Sequence, residues 1–188
     1  MALEDIAMMR SVLESTILYP ADGVATSKLV QLMIERDGLM YLRTNRPKTP
    51  AIYSESDEFE IGGSKVLAES KSDTAVIFTA GITLHEALKA KKELVQENVF
   101  VAIVDLYCVK PLDEETIKRL SLKTGHVIVV EDHYPDGGLG DAVKAALPSG
   151  EIKFTHLAVK KPPRSGKTEE LLSFEEIDSK SIMRAVKL

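Results

Sequence analysis

The sequence has a single cysteine, no long apolar run and no excess of basic residues. Cys108 by itself can form neither an internal disulfide nor a thiolate metal cluster, which favours a reducing compartment. Charged residues interrupt each apolar stretch near the start, and no run approaches the roughly 20 residues that a membrane span needs. A net charge of -5 argues against nucleic acid as a partner. The sequence therefore predicts a water-soluble, cytoplasmic protein with no membrane partner.

The first part of the chain predicts an incomplete α/β unit. Apolar residues spaced by three and four indicate a helix over residues 3–13, and a short strand follows at 16–19. Asp22 is suited to cap a second helix that stops near Gly38, and residues 39–42 form another strand. Two parallel strands are too few to cover both helices, so this unit is predicted to be part of a larger domain.

The rest of the chain predicts a complete α/β domain. Prolines and glycines among acids and serines in residues 45–64 are typical of a connector. Strands that are apolar on both faces then alternate with amphipathic helices, which predicts a three-layer α/β/α domain with a mostly parallel sheet. The predicted elements are strands at 74–79, 100–106, 127–130 and 152–159 and helices at 84–96, 114–124, 140–147 and 179–188.

Two loops lie at the carboxyl ends of predicted strands, where open parallel sheets place their ligands: residues 80–83 and residues 132–140. Gly137 and Gly138 could expose backbone N–H groups to an anion before a helix. In the alternative interpretation this is a tight strand-to-helix connection in which Gly140 allows close packing. No G-x-G-x-x-G dinucleotide fingerprint is present.

The histidines predict no metal site, because they are scattered without ligand spacing. His133 follows two acidic residues and could act as a general base, or it could be a structural histidine. The other three, His85, His126 and His156, are interpreted as surface or strand-end residues.

Two basic features could bind anions. The segment 160–167 holds four basic residues and two prolines, so it predicts an extended solvated loop or a docking site for an acidic neighbour. It is no P-loop, because Lys161 stands where that motif needs glycine. Arg46 precedes Pro47, which favours an extended backbone and presents the guanidinium as a fork for phosphate oxygens. The alternative is an ordinary surface arginine.

Several motifs resemble a known family in order and spacing. They are Met1-Ala2-Leu3-Glu4-Asp5, Tyr19-Pro20-Ala21-Asp22-Gly23, Arg43-Thr44-Asn45-Arg46-Pro47, Gly81-Ile82-Thr83-Leu84-His85, Lys110-Pro111-Leu112-Asp113, Glu131-Asp132-His133-Tyr134 and Pro163-Arg164-Ser165-Gly166-Lys167. Across essentially the whole chain the sequence resembles the carboxy-terminal portion of transketolase in its animal-like form.

The resemblance implies a homodimeric enzyme that uses thiamine diphosphate and Mg²⁺ to move a two-carbon ketol unit from a ketose phosphate to an aldose phosphate. It implies that residues 1–50 are the tail of the middle, pyrimidine-binding domain, that 51–64 are a linker, and that 65–188 are the carboxy-terminal domain. Arg46 matches the family's substrate-phosphate arginine. It is the one site residue that transfers, and sugar phosphates are the implied substrates.

Other parts of the family's machinery are absent from the sequence. The Gly-Asp-Gly metal motif, the glutamate and aromatic residue that hold the aminopyrimidine, and the histidines of the substrate channel would lie upstream of Met1. We therefore expect a fragment without catalytic, cofactor or metal residues, inactive without an amino-terminal transketolase portion. The alternative is a non-catalytic association domain of a thiamine diphosphate enzyme, such as a deoxyxylulose phosphate synthase or a 2-keto acid dehydrogenase chain.

Overall fold

The computed structural model describes residues 2–188, and the first part of the chain contributes two parallel strands to a small sheet. Helix α1 (Asp5–Arg10) leads to β1 (Thr16–Leu18), and α2 (Gly23–Ile34) leads to β2 (Met40–Leu42). Helix α2 begins where predicted, because the carboxylate of Asp22 accepts the backbone N–H of the third residue along at 2.8 Å. It ends earlier than predicted, at Ile34. β1 and β2 pair in parallel, as predicted.

A strand that the sequence did not predict joins this sheet to the rest of the molecule. β6 (Cys108–Lys110) pairs antiparallel with β1, so the order of the three-stranded sheet is β2-β1-β6. The ammonium group of Lys110 also donates to the carbonyl of Val12 at 2.6 Å. Backbone and side chain therefore both attach the first part of the chain to the second.

The larger sheet has five strands: β3 (Lys65–Ala68), β4 (Asp73–Thr79), β5 (Phe100–Asp105), β7 (His126–Val130) and β8 (Lys153–Leu157). Their order in the sheet is β3-β5-β4-β7-β8. Strand β3 is antiparallel to its neighbour, and the other pairs are parallel. Strand β3, at one edge, was not predicted.

Helices cover both faces of the larger sheet. One face is covered by α3 (Ile82–Gln96), the short α6 (Thr168–Phe174) and α7 (Ser179–Lys187). The other face is covered by α4 (Glu114–Thr124) and α5 (Leu139–Ala146), with α1 beside them. The predicted three-layer α/β/α class is confirmed, although α6 was not predicted. Across residues 2–188, no helix is long and apolar enough to cross a membrane.

Candidate functional site

The predicted phosphate-binding residue lies on a surface loop after β2. We call residues 44–51 the Arg46 loop. The side chain of Arg46 is exposed, and it forms no hydrogen bond or ion pair with residues 2–188. A guanidinium group is charged at all physiological pH values and offers five N–H donors. Arg46 is therefore free to bind an oxyanion from outside the chain.

Beneath the Arg46 loop lies a buried network of charges centred on Arg43, a residue that is 5% exposed. Its Nη1 donates to Oδ1 of Asp132 at 2.7 Å, and its Nε donates to Oδ2 of Asp5 at 3.0 Å. Its Nη2 donates to the backbone carbonyl of Asp132 at 3.1 Å. One guanidinium thus joins a carboxylate of α1 to a carboxylate that follows β7, and each charge has a partner of opposite sign.

Tyr19 connects this network to the Arg46 loop. Its hydroxyl oxygen lies 2.8 Å from Oδ1 of Asp132 and 2.9 Å from Oδ1 of Asn45. Its ring lies beneath the guanidinium of Arg43, 4.5 Å from ring centroid to guanidinium carbon. The ring also packs directly on Gly81, where φ is +59° and a Cβ atom would overlap the ring. Only glycine meets both conditions at that position.

The electrostatics of the network follow from its burial and its charges. Burial raises the pKa of Tyr19 well above its usual value, and the neighbouring Asp132 raises it further. Burial alone would lower the pKa of Arg43, but Asp132, Tyr19 and Asp5 outweigh that effect and raise it overall. Burial and the hydrogen bond to Asp5 raise the pKa of Tyr41 to about 12. Both tyrosines therefore stay neutral and Arg43 stays charged near neutral pH.

The network fills the crevice where doubly wound sheets bind ligands. The connections that follow β4 and β7 pass to opposite faces of the sheet, since α3 covers one face and α5 the other. The sequence predicted that the loops at 80–83 and 132–140 lie at this ligand-binding position. In the structure Tyr19 packs against the first of them and bonds to Asp132 in the second. The side chains of the chain's first part occupy the crevice.

The glycine loop after β7 is occupied by the protein's own carboxylates: the backbone N–H of Gly137 donates to Oδ2 of Asp141 at 2.6 Å, and the carboxylate of Glu131 lies against Gly138. Glu131, the residue before Asp132, accepts the backbone N–H of Leu139 at 2.6 Å and that of Gly140 at 3.0 Å. The protein's own carboxylate therefore holds the start of α5. His156 bonds to the same carboxylate at 2.5 Å, and a Cβ on Gly140 would overlap its ring. The interpretation as a tight connection is confirmed, and sequence reasoning missed the role of His156.

His133 is a structural histidine. It is fully buried, its Nδ1 lies 2.6 Å from the carbonyl oxygen of Tyr134, and its Nε2 accepts the backbone N–H of Ala7 at 3.3 Å. With both ring nitrogens occupied, the imidazole has no nitrogen with which to take a proton from a substrate. The general-base hypothesis is therefore wrong, and the residue ties α1 to the loop after β7.

The basic segment 160–167 is extended, as predicted, but it folds back on the chain. The backbone N–H groups of Lys160 and Lys161 donate to Oε2 of Glu175 at 3.1 and 3.0 Å. The guanidinium of Arg164 stacks 3.5 Å above the ring of Phe174. Between this segment and the Arg46 loop lies a cavity of about 280 Å³ with an apolar floor from α6.

Two sheets flanked by helices, the larger one doubly wound, define an α/β protein. The crevice in which such sheets bind ligands is filled here by side chains from the first part of the chain. A family model described as transketolase, C-terminal domain, matches residues 64–182, and the chain belongs to this family. It is 46% identical to the transketolases of Mus musculus and Homo sapiens over 190 residues, which include all of this chain and 30% of each relative. The resemblance to the carboxy-terminal portion of animal transketolases is confirmed.

Two solved structures are similar to this chain. One is titled "Split gene transketolase, inactive beta4 tetramer"; it is 31% identical, with a TM-score of 0.89 over 99% of this chain and 60% of that chain. The other is a transketolase from Campylobacter jejuni, whose 17% identity and TM-score of 0.72, over 99% of this chain and 28% of that chain, support the fold alone. The chain spans about 30% of the length of the animal relatives it matches.

Proposed function

We propose that this chain is the carboxy-terminal portion of a cytoplasmic transketolase, a homodimer that uses thiamine diphosphate and Mg²⁺. The enzyme would transfer a two-carbon ketol unit from a ketose phosphate to an aldose phosphate. The observation that carries this proposal is the 46% identity to animal transketolases over the whole chain. The Asn-Arg-Pro sequence that holds Arg46 lies within that stretch.

The described residues do not fit the cofactor. Among residues 2–188, no group of three or more His, Cys, Asp or Glu side chains could hold a metal ion. The N–H groups at the start of α5, which could have held a diphosphate, bond to Glu131 instead. We therefore propose that an amino-terminal partner portion holds the thiamine diphosphate and Mg²⁺.

The role proposed for this chain is to bind the phosphate of the sugar substrate. The guanidinium of Arg46 is exposed and has no partner among residues 2–188. Binding a phosphate therefore breaks no ion pair within the protein. A bidentate contact between the two would be charge-assisted, and it would orient the sugar without taking part in the chemical step. Arg46 is thus proposed as a substrate-binding residue.

The test is reconstitution with an amino-terminal transketolase portion, thiamine diphosphate and Mg²⁺. We expect ketol transfer from the mixture and none from this chain alone. Replacing Arg46 with Ala should raise KM for a phosphorylated donor roughly 10- to 100-fold, the usual worth of a hydrogen bond to a charged group. Arg36→Ala, which removes another exposed arginine of the same part of the chain, should leave KM unchanged. Equal KM values for the two variants would contradict the proposal.

A second candidate function is that of a non-catalytic association domain. One edge of β2 is unpaired within residues 2–188, and large apolar side chains of α1, of the loop after it and of α2 are exposed: Met8 is 62% exposed, Leu13 86% and Ile34 79%. An open edge strand and exposed apolar side chains are each typical of surfaces that contact another chain. Stable binding to the amino-terminal portion without ketol transfer would favour this function over the first.

A further inference from the structure

We propose that Tyr19, held by Asp132 and Arg43, is a positioning residue that fixes the Arg46 loop for phosphate binding. This inference rests on the function proposed for Arg46. It adds that side chains in the crevice of the larger sheet position the proposed substrate-binding loop, and that they do so through the buried hydroxyl of Tyr19.

The Arg46 loop makes very few hydrogen bonds to the rest of the protein. Among the hydrogen bonds between residues 2–188, the bond from Tyr19 to Asn45 is the only one that involves the loop. On either side of the loop the backbone is well held, since the N–H of Arg43 donates to the carbonyl of Leu18 and the N–H of Ile52 donates to Asp22. The hydroxyl of Tyr19 is therefore the one hydrogen-bonding group among residues 2–188 that holds Asn45, the residue before Arg46.

The geometry allows Tyr19 to serve both of its neighbours. Its hydroxyl has one proton, and it lies within 2.9 Å of Asn45 and of both carboxylate oxygens of Asp132. The hydroxyl is the donor in each contact, so its one proton is shared between the carboxylate of Asp132 and Oδ1 of Asn45 in a three-centre hydrogen bond.

The anchor behind this hydrogen bond is rigid. Asp132 is held by two bonds from Arg43, one to its carboxylate at 2.7 Å and one to its carbonyl at 3.1 Å. The ring of Tyr19 is confined between Arg43 and Gly81, and its backbone N–H donates to the carbonyl of Tyr107 at 2.7 Å. A fixed hydroxyl can thus hold a loop that has no other hydrogen bond, which is how supporting groups preorganise a binding residue.

The matched control is the other tyrosine of the network. Tyr41 donates from its hydroxyl to Asp5 at 2.7 Å, on the far side of Arg43, and makes no hydrogen bond to the Arg46 loop. Tyr19→Phe and Tyr41→Phe each remove one hydroxyl that bonds to a carboxylate of the same network. Only the first change removes the bond to Asn45. Both variants keep the ring, whereas Asp132→Asn could unfold the chain by leaving Arg43 short of a partner.

Two measurements test the inference. In the full chain, backbone ¹⁵N order parameters of residues 44–46 and 48 should fall below about 0.6 in Tyr19→Phe and stay unchanged in Tyr41→Phe. In the reconstituted enzyme, Tyr19→Phe should raise KM for a phosphorylated donor roughly 2- to 12-fold, the worth of one neutral hydrogen bond. Its kcat, and its KM for an unphosphorylated ketol donor, should not change.

The outcomes separate this inference from the function on which it rests. Unchanged order parameters in Tyr19→Phe overturn the positioning role. The same role is overturned if Arg46→Ala raises KM for the phosphorylated donor and Tyr19→Phe does not, and the function of Arg46 then stands. If Arg46→Ala leaves that KM unchanged, the phosphate site itself is refuted, and the role of Tyr19 falls with it.

Discussion

The buried carboxyl group of Asp105 should make the protein less stable as the pH rises toward neutrality. Asp105 is the last residue of β5 and is fully buried. Its Oδ2 accepts the hydroxyl of Tyr53 at 2.6 Å, but its Oδ1 has no partner among residues 2–188. Burial raises the pKa of Asp105 from 3.8 to about 7, against the lowering effect of the Tyr53 hydrogen bond.

The sign and size of the effect follow from this pKa. Between pH 3.8 and about 7 the folded chain holds a proton on Asp105 that the unfolded chain has released. Stability from this group is therefore complete below pH 3.8 and is lost as the pH rises through about 7. A difference of about 3 in pKa corresponds to roughly 4 kcal/mol at 1.36 kcal/mol for each unit of pKa.

Asp105→Asn cannot ionise, so its free energy of unfolding should not show this loss. We measure the free energy of unfolding of both proteins with urea. The value for the variant minus the value for the parent should rise by roughly 4 kcal/mol between pH 4 and pH 8. Asp57→Asn is the control: hydrogen bonds from Ser54 lower the pKa of Asp57, so its contribution is constant above pH 3.8. Parallel curves for Asp105→Asn and the parent across this range would refute the reasoning.

Two further substitutions test the packing of the site by urea unfolding. Arg43→Ala should lower the free energy of unfolding by about 3–5 kcal/mol, because it leaves two buried carboxylates without their shared cation. A loss below about 1 kcal/mol would mean that water replaces the guanidinium. Gly140→Ala should cost about 1–3 kcal/mol, because the new methyl group overlaps the ring of His156. Gly23→Ala, whose methyl group would meet nothing within 4 Å, should cost much less, and equal losses would contradict the account of Gly140.

The sequence predicted the elements whose signals are local. The carboxylate of Asp22 caps α2 as expected, and α4 has the predicted bounds 114–124, between a cap from Asp113 and Gly125 with a φ of 64°. These signals were readable because a cap acts within one helical turn. Strand β6 has three residues and becomes a strand only by pairing with β1, far away in the sequence. Its length alone is not the obstacle, since β1 and β2 are equally short; the sequence could not predict β6 because no local signal marks its pairing with so distant a strand.

The site was only partly predictable for the same reason. Arg46 is predicted to bind phosphate because it lies within a motif, and this stays a prediction to which the structure adds only that the side chain is exposed. The partners Tyr19 and Asp132 are 113 residues apart, and no spacing rule connects them. Arg43 has the sequence appearance of a surface arginine, and only the fold shows that it is buried. The glycine of the 80–83 loop was noted as a ligand-loop residue, whereas the structure uses it to seat a tyrosine ring.

The two parts of the chain are joined by interactions of a kind that favours one arrangement over others. A purely apolar contact tolerates small shifts, but a buried arginine between two carboxylates does not, since any displacement leaves a charge unpaired in a dry environment. Asp5 and Arg43 lie before the connector and Asp132 lies after it, so the network fixes the orientation of one part on the other. Open sheets usually bind a ligand in this crevice. Here the crevice holds side chains that fix where the chain leaves β2. Arg46, the residue proposed to bind phosphate, follows β2 and would gain a defined position from side chains that do not touch the substrate.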